Sequence, residues 1–257
     1  MIILISNDDG ILSPGLHALV RAVADLAQVW VVAPDREQSA VGHSITIAEP
    51  IRLSDYVVGG AYRSFAVNGT PADCVKLAIS ELLPEQPALV MSGINRGENT
   101  GISIIYSGTV SAATEGAING IPAIAISLDS FTHDDFGPAA AIARRSAVQV
   151  MNSGLPDHTL LNINVPALPE DRIRGVKVMR QGRGRFKEKF MKRNDPRGRV
   201  YYWMDGHKLP LNETETDGTA IMEGYVAVTP IHFDLTNHNA LAEISVWADS
   251  LHTPTTA

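Results

Sequence analysis

The stretch Met1-Ile2-Ile3-Leu4-Ile5-Ser6-Asn7-Asp8-Asp9-Gly10 decides how the rest of the chain is interpreted. Its apolar, isoleucine-rich beginning is typical of a central strand in a parallel sheet that helices cover on both faces. Asn, Asp and Gly favour turns, so this strand is predicted to end after Ser6. Ligands of open α/β sheets lie beyond the carboxyl ends of the strands. Asp8 and Asp9 therefore predict a cation site or an acid/base pair, the alternative being a helix cap beside a solvated carboxylate.

The composition is that of an ordinary soluble globular protein. The 257 residues are 45% hydrophobic and 19% charged, with a net charge of −7. The acidic balance disfavours a stable nucleic-acid partner, and no apolar run reaches the roughly 20 residues that span a bilayer, so no membrane partner is expected. With no leader pattern and the single cysteine Cys74, which is predicted to be a buried core thiol, the sequence indicates a cytoplasmic protein.

Strand and helix patterns alternate along most of the chain, which predicts a Rossmann-like α/β fold with a mostly parallel sheet flanked by helices. The first helix is predicted from a cap at Ser13 to about residue 27. Residues 45–53 and 62–67 are predicted to form an edge hairpin, and residues 92–101 a glycine-rich loop. Further strands are predicted at 29–33, 88–91, 123–127, 160–165 and 225–231, and further helices at 138–151 and 240–247 and after the caps Thr70 and Thr216.

Oxygen-bearing side chains follow three of the predicted strands. Asp8 and Asp9 follow the first strand, Ser39 lies in the long loop after the second, and Asn95 follows the strand at 88–91. Taken alone, Ser39 is better explained by plain turn chemistry, and the alternative for Asn95 is a turn residue. Taken together, these hard oxygen donors favour Mg²⁺, Mn²⁺ or Ca²⁺ over zinc.

The segment Ser107-Gly108-Thr109 is predicted to enter a helix. Unpaired N–H groups and the positive end of the helix dipole make such a helix start a favourable place for an anion. A divalent cation beside an anion site suggests phosphoryl transfer to water, because the metal polarises a phosphoryl oxygen and lowers the pKa of bound water.

Five blocks of the chain resemble the signature segments of the SurE family, the stationary-phase survival proteins, which are metal-dependent 5′/3′-nucleotidases. These blocks are residues 5–10 (ISNDDG), 33–36 (APDR) with Ser39, 68–75 (NGTPADCV), 92–95 (SGIN) and 106–110 (YSGTV). Their order over the first 130 residues is far more specific than any one motif. Residues 216–217 and 224–230 resemble the family more loosely.

The resemblance implies a phosphoric monoester hydrolase. Its substrates would be nucleoside 5′- and 3′-monophosphates, with short polyphosphate as a further candidate. One divalent cation per subunit, Mg²⁺ or Mn²⁺ with Ca²⁺ as a third candidate, would be bound by Asp8, Asp9, Ser39 and Asn95. Asn95 and residues 107–109, that is Ser107, Gly108 and Thr109, would hold the phosphate. Asp8 and Asp9 would be the catalytic residues, and the sequence does not decide between a base and a phospho-accepting nucleophile.

The resemblance also implies a homodimer or homotetramer that exchanges C-terminal segments. We expect a single domain over 1–257, with a core of about 1–175 plus 216–235. Segments at about 180–204 and 236–257 would protrude and make the subunit contacts. The first of these is a basic stretch that runs into the apolar residues 200–204 and predicts a β arm, the alternative being a solvated surface loop.

Three rival interpretations of the acidic pair differ in what they require. A receiver-like Mg²⁺-binding signalling module without turnover needs an accepting aspartate at a later strand end, where this chain has Ser92-Gly93-Ile94-Asn95. A haloacid-dehalogenase-type phosphatase needs a second aspartate two positions after the first, where Gly10 stands. A dinucleotide-binding domain needs a glycine fingerprint that the turn lacks. Metal-dependent turnover separates the nucleotidase from the receiver.

Overall fold

A nine-stranded, mostly parallel sheet lies at the centre of the computed structural model, which describes residues 1–209, 213–248 and 251. Two further strands form a separate hairpin. The eleven strands, in chain order, are β1 (Ile2–Ser6), β2 (Gln28–Pro34), β3 (Leu53–Tyr56), β4 (Arg63–Val67), β5 (Leu89–Arg96), β6 (Ala123–Asp129), β7 (Thr159–Pro166), β8 (Val176–Val178), β9 (Phe186–Asn194), β10 (Val200–Lys208) and β11 (Val226–His232).

The strand order is β3-β4-β2-β1-β5-β6-β7-β11-β8. The six strands from β4 to β7 in this order run parallel, while β3 and β11 pair antiparallel with their neighbours β4 and β7. The chain first builds outward from β1 through β2 and then crosses to β5 on its other side. The predicted α/β fold class is confirmed, and the reversal of strand order beside β1 creates the crevice where ligands of such sheets bind.

Helices cover both faces of the sheet. They are α1 (Pro14–Val23), α2 (Pro71–Leu77, continued by a π-helical turn over Ala78–Leu82), α3 (Ser103–Tyr106), α4 (Gly108–Ile118), α5 (Gly137–Ser153), α6 (Asp217–Met222) and α7 (Leu241–Ser245). Alternate residues of β1 point to opposite faces, as in any strand. Ile3 and Ile5 pack in the core under α1 and α5, whereas Ile2 and Leu4 pack in the core under α2 and α4.

The predicted helix caps are confirmed. The Ser13 hydroxyl accepts a hydrogen bond from the Leu16 amide at 3.2 Å. Thr70 and Asp73 form a reciprocal capping box: the Thr70 hydroxyl accepts from the Asp73 amide at 3.1 Å, and the Asp73 carboxylate accepts from the Thr70 amide at 2.9 Å. Each such cap contributes roughly 1 kcal/mol by satisfying N–H groups that the helix leaves unpaired.

Two predicted boundaries differ from the structure. The first helix ends at Val23 rather than near residue 27, because the chain tightens into a turn before it enters β2. The prediction of a strand over 45–53 is wrong, since the ladder begins only at Leu53. The backbone of residues 44–46 bonds instead to the capping box of α2: Thr70 donates to the Ser44 carbonyl, and the Thr46 amide donates to Asp73.

The loop predicted over 92–101 is partly wrong as well. Strand β5 continues to Arg96, with an irregularity in its pairing between Ser92 and Asn95. Asn95 and Arg96 still pair with β6, opposite Ser127 and Leu128. Pairing with a neighbouring strand outweighs the turn preference of glycine and asparagine here, and it places Asn95 on the sheet rather than in a free loop.

The basic segment forms the antiparallel hairpin β9–β10 outside the main sheet. The hairpin lies in the segment for which the sequence predicted a β arm, and aromatic residues of β10 such as Tyr202 and Trp203 are exposed. Its role in subunit contacts stays a prediction. The tail contains α7, while residues 249–250 and 252–257 of the predicted contact segment lie outside the described residues. Among the helices of the described ranges, none has the length and apolarity that crossing a membrane requires.

Candidate functional site

A cleft of about 360 Å³ lies beyond the carboxyl ends of β1, β2 and β5, next to the start of α4. The residues that line it are Asp8, Asp9, Glu37, Ser39, Ala40, Asn95, Arg96, Gly97, Glu98, Asn99, Ser103, Tyr106, Ser107 and Phe131. Of the residues predicted from the sequence, the structure brings five together on this surface: Asp8, Asp9, Ser39, Asn95 and Ser107. Gly108 and Thr109 lie directly behind them, against Asp8.

Backbone hydrogen bonds hold the Ser39 loop against the end of β1. The Gln38 amide donates to the Asp8 carbonyl at 2.7 Å, and the Ile11 amide donates to the Pro34 carbonyl at 2.8 Å. The Ser39 hydroxyl itself donates to Glu37 at 2.5 Å. These bonds join the turns that follow β1 and β2, so Ser39 reaches the acidic pair although 30 residues separate them in sequence.

Asp8 is only 6% exposed, and its carboxylate accepts a hydrogen bond from the Thr109 hydroxyl. Burial raises the pKa of Asp8, because a charged carboxylate loses solvation there. The Thr109 hydroxyl and the backbone N–H groups of Thr109 and Gly108 oppose this rise in pKa. Asp8 is therefore held at the amino-terminal end of α4.

Asp9 is less buried than Asp8. Burial, and next the charge of Asp8, raise the pKa of Asp9 to about 7, while the backbone N–H of Arg96 lowers it. The two neighbouring carboxylates thus repel each other, and the protein's own groups compensate their charge incompletely. A bound cation would supply the missing compensation.

Asn95 has a defined amide orientation. Its Nδ2 donates to the carbonyl oxygens of Arg96 at 3.1 Å and Gly97 at 2.8 Å. Both amide hydrogens bond to the backbone, so the side-chain carbonyl oxygen is the atom of Asn95 with which a ligand would interact. This oxygen is an acceptor suited to a hard cation or to a protonated ligand group.

The start of α4 closes one side of the cleft. The Ser107 hydroxyl caps the helix by accepting from the Val110 amide at 3.1 Å. A Cβ at Gly108 would lie 2.7 Å from the Asp8 Cβ, so only glycine allows the carboxylate this close to the helix. Thr109 is fully buried behind Asp8, so Ser107 is the one predicted phosphate contact from this helix start that lines the cleft.

The sequence interpretation missed an ionic network behind the cleft. Glu115, on α4, is 3% exposed; it pairs with His43 at 2.7 Å and with Lys76 at 3.2 Å. Burial raises the pKa of Glu115, but the bonds from His43 and Lys76 outweigh it and hold the pKa below its usual range. The network fastens the loop that carries Ser39 to α4 and α2. The only signal in the sequence is a charged residue inside a helix of otherwise small residues.

A buried asparagine network was missed as well. The Asn99 amide donates to the Asn164 side chain at 2.7 Å, and the Asn99 carbonyl accepts from Asn162 at 2.8 Å. The Asn99 side chain donates to Ser127 at 2.9 Å. Polar groups this deeply buried must find partners, and here they fix the segment that runs from β5 into α3. Two asparagines on one face of the apolar strand at 160–165 are the signal that could have indicated it.

The donor set at the cleft fits a divalent cation. Among residues 1–209, 213–248 and 251, no group of three or more His, Cys, Asp and Glu side chains converges to hold a metal. The acidic pair therefore depends on neutral oxygens, and Ser39 and Asn95 line the same cleft. Two carboxylates supplemented by neutral oxygens, water and substrate is the kind of donor set that Mg²⁺ uses.

The fold and the site together define a Rossmann-like α/β protein with an acidic, oxygen-lined cleft at its topological switch point. Residues 3–188 match the family model described as Survival protein SurE, and the chain belongs to that family.

Curated relatives and a solved structure agree with this membership. The chain is 50% identical to the 5′-nucleotidase SurE of Heliobacterium modesticaldum over 96% of its length and 92% of that protein. It is 47% identical to the 5′-nucleotidase SurE of Symbiobacterium thermophilum over 96% of this chain and 98% of the relative. The crystal structure of the SurE protein from Aquifex aeolicus is 43% identical and superposes with a TM-score of 0.84, covering 96% of this chain and 99% of that one.

Proposed function

We propose that this protein is a metal-dependent 5′-nucleotidase that hydrolyses nucleoside monophosphates to nucleoside and phosphate. The observation that carries the proposal is the convergence of Asp8, Asp9, Ser39 and Asn95 on one cleft that the start of α4 adjoins. The curated relatives that carry the name 5′-nucleotidase match nearly the whole chain, which supports the same activity. The receiver-like alternative is not favoured, because these relatives are named as enzymes.

In this proposal, Asp8, Asp9, Ser39 and Asn95 hold the cation. The SurE family is in general metal-dependent, and the hard oxygen donors select Mg²⁺ or Mn²⁺ as the ion, with Ca²⁺ as the weaker candidate. When bound, the cation polarises a phosphoryl oxygen and lowers the pKa of a water molecule.

The chain's own groups position the substrate and its protons. Ser107 at the start of α4 donates to the phosphate, and the side-chain carbonyl oxygen of Asn95 accepts from a protonated phosphate oxygen. Gly108 and Thr109 complete this side of the site by holding Asp8 against the start of α4. Asp9 lines the cleft and is less buried than Asp8. We therefore assign Asp9 as the carboxylate of the pair that is more accessible to substrate and water, and Asp8 as the one held in position by Thr109.

Nucleoside 3′-monophosphates and short polyphosphate are secondary substrates in this proposal.

The proposal also covers the assembly of the protein. The chain forms one domain, and copies of it associate as a dimer or tetramer through the hairpin β9–β10 and the tail after residue 235. The exposed aromatic residues of β10 support such an association, because an apolar surface of this kind gains free energy when a partner covers it.

The decisive experiment measures phosphate release from a panel of 5′- and 3′-nucleoside monophosphates in Mg²⁺ or Mn²⁺. We expect many turnovers per protein molecule, with 5′-substrates preferred. Phosphate release limited to one equivalent, or none with any divalent metal, would reject the enzyme and favour a binding module built on the same acidic cleft.

Replacing Gly108 with alanine is expected to lower kcat/KM by about 10²-fold, the usual scale for misplacing a catalytic group by about 1 Å. The new methyl group would press on the side chain of Asp8, whose Cβ and Oδ2 lie 2.7 and 2.9 Å from its position. Gly59→Ala is the matched control, since no heavy atom lies within 4 Å of the corresponding site. Equal activity of the two variants in steady-state assays would show that Gly108 does not position Asp8.

A further inference from the structure

Phe131 is an exposed aromatic residue whose position the fold and the ionic groups of the cleft do not explain. Its side chain is 77% exposed, yet it lines the same cleft as Asp9 and Ser107. Its sequence neighbours, Ser130 and residues 132–135, are polar or charged. Aromatic side chains beside a few polar groups are typical of the lining of ligand sites, so the place of this ring in the cleft points to a contact with a ligand.

The loop holds this ring in place through its backbone. The Ser130 hydroxyl accepts from the amides of Thr132 at 3.2 Å and His133 at 2.9 Å, which forms a tight turn with Phe131 inside it. The Gly97 amide donates to the Ser130 carbonyl at 3.1 Å, so the turn is tied to the end of β5.

Gly97 is the surface on which the ring rests. A Cβ at Gly97 would lie 2.5 Å from Phe131 Cε1 and 2.6 Å from Cζ, so any larger residue would displace the ring. The Gly97 carbonyl in turn accepts from the Asn95 side chain at 2.8 Å. One contact and one hydrogen bond therefore connect the ring to a residue that we place at the cation and phosphate.

We infer that Phe131 is the platform on which the nucleobase of the substrate stacks. The inference rests on the proposed function, because it takes the phosphate end of the substrate to lie at Ser107 and Asn95. A nucleoside monophosphate bound there extends its base along the cleft, and a base offers a flat aromatic face. Stacking on a protein aromatic side chain is tolerant of base identity, so the ring favours nucleotides over other phosphate monoesters without selecting one base strongly.

A second exposed aromatic residue supports this inference. Tyr106, the last residue of α3, also lines the cleft and directly precedes Ser107. Its carbonyl accepts from the Gly42 amide at 3.1 Å, which ties its backbone to the loop that carries Ser39. The cleft thus has polar groups at the strand ends and aromatic rings on two flanking segments, as a ligand with a charged end and a flat apolar end requires.

The test compares AMP with ribose 5-phosphate, which has the same phosphate and sugar but no base. We expect Phe131→Ala to lower the ratio of kcat/KM for AMP to that for ribose 5-phosphate by about 10-fold, the scale of one base–aromatic stack. Phe131→Trp is expected to restore the ratio, because it restores an aromatic face. Tyr62→Ala removes another exposed aromatic ring, next to the amino end of β4 and outside the cleft lining, and is expected to keep the wild-type ratio.

Calorimetric titration of the same four proteins with AMP and ribose 5-phosphate separates the two proposals. If the wild type hydrolyses neither compound, the proposed function fails, but a preference for binding AMP that Phe131→Ala removes still supports the platform. If AMP is hydrolysed and its ratio to ribose 5-phosphate is the same in Phe131→Ala and in wild type, the platform is rejected while the nucleotidase stands. A ratio that Phe131→Trp fails to restore rejects stacking in favour of a merely structural role.

Discussion

Asp8→Asn is expected to lower the rate of phosphate release by about 10³-fold or more while the protein remains folded, in line with the losses seen when an essential catalytic group is removed. Asparagine keeps the size of the side chain and an oxygen that the Thr109 hydroxyl can reach. It loses the negative charge that would hold the cation at the end of β1. The measurement is steady-state phosphate release, with circular dichroism to confirm the fold.

The stability of Asp8→Asn provides an independent readout. Burial raises the pKa of Asp8, so the charged form opposes folding at neutral pH in the metal-free protein. We therefore expect the melting temperature of Asp8→Asn in EDTA to equal or exceed that of the wild type. Asp25→Asn is the matched control, since this exposed carboxylate pairs with Arg144 on the surface, away from the cleft, and its loss should leave activity intact. A folded Asp8→Asn protein with wild-type turnover would overturn the assignment of the site.

Removing divalent cations with EDTA is expected to abolish turnover, and adding Mg²⁺ or Mn²⁺ is expected to restore it. Asp8 and Asp9 lie in the cleft beside the neutral oxygens of Ser39 and Asn95, and the guanidinium of Arg96, which also lines the cleft, is paired with Asp134. A bound cation is therefore expected to supply the positive charge that a phosphoryl group in transfer requires. The cation should also raise the melting temperature, because a ligand that binds only the folded state stabilises it by mass action. Full activity in EDTA after exhaustive dialysis would contradict the metal requirement.

The stability of the metal-free protein is expected to depend on pH through Asp9. Its pKa is about 7 in the folded protein against a reference value of 3.8. At pH values between these two pKa values, the Asp9 carboxyl is protonated in the folded state and ionised in the unfolded state. The contribution of Asp9 to the free energy of unfolding therefore falls as the pH rises to about 7 and is constant at higher pH. Asp9→Asn removes this contribution.

In EDTA, the melting temperature of Asp9→Asn minus that of the wild type should therefore increase from pH 5 to pH 7 and increase no further at pH 8. In Mg²⁺ at pH 8 the wild type should have the higher melting temperature, because only the wild type keeps both carboxylates for the cation. A difference between the two proteins that does not vary with pH in EDTA would show that Asp9 titrates normally.

Local signals in the sequence predicted much of the fold. The apolar run of β1 and the caps at Ser13, Thr70 and Thr216 are confirmed, because strand burial and capping chemistry depend on residues close together in the chain. The strand predicted at 45–53 is wrong for a complementary reason. That segment has strand propensity, but its backbone finds hydrogen-bond partners on the capping box of α2, which a local pattern does not contain.

The sequence by itself determined the α/β class, the acidic turn after the first strand and the residue types offered at three strand ends. Only the tertiary structure decided which groups meet there. The pairs His43–Glu115 and Asn99–Asn164 are 72 and 65 residues apart, and Phe131 reaches the cleft only because Gly97 leaves room for its ring. Such contacts depend on how distant elements pack, and no spacing within one segment encodes them. Strand ends are predictable because every parallel strand places its last residues at the same edge of the sheet. The groups that hold and shape the cleft are not, because they are brought together by packing between elements that are distant in sequence.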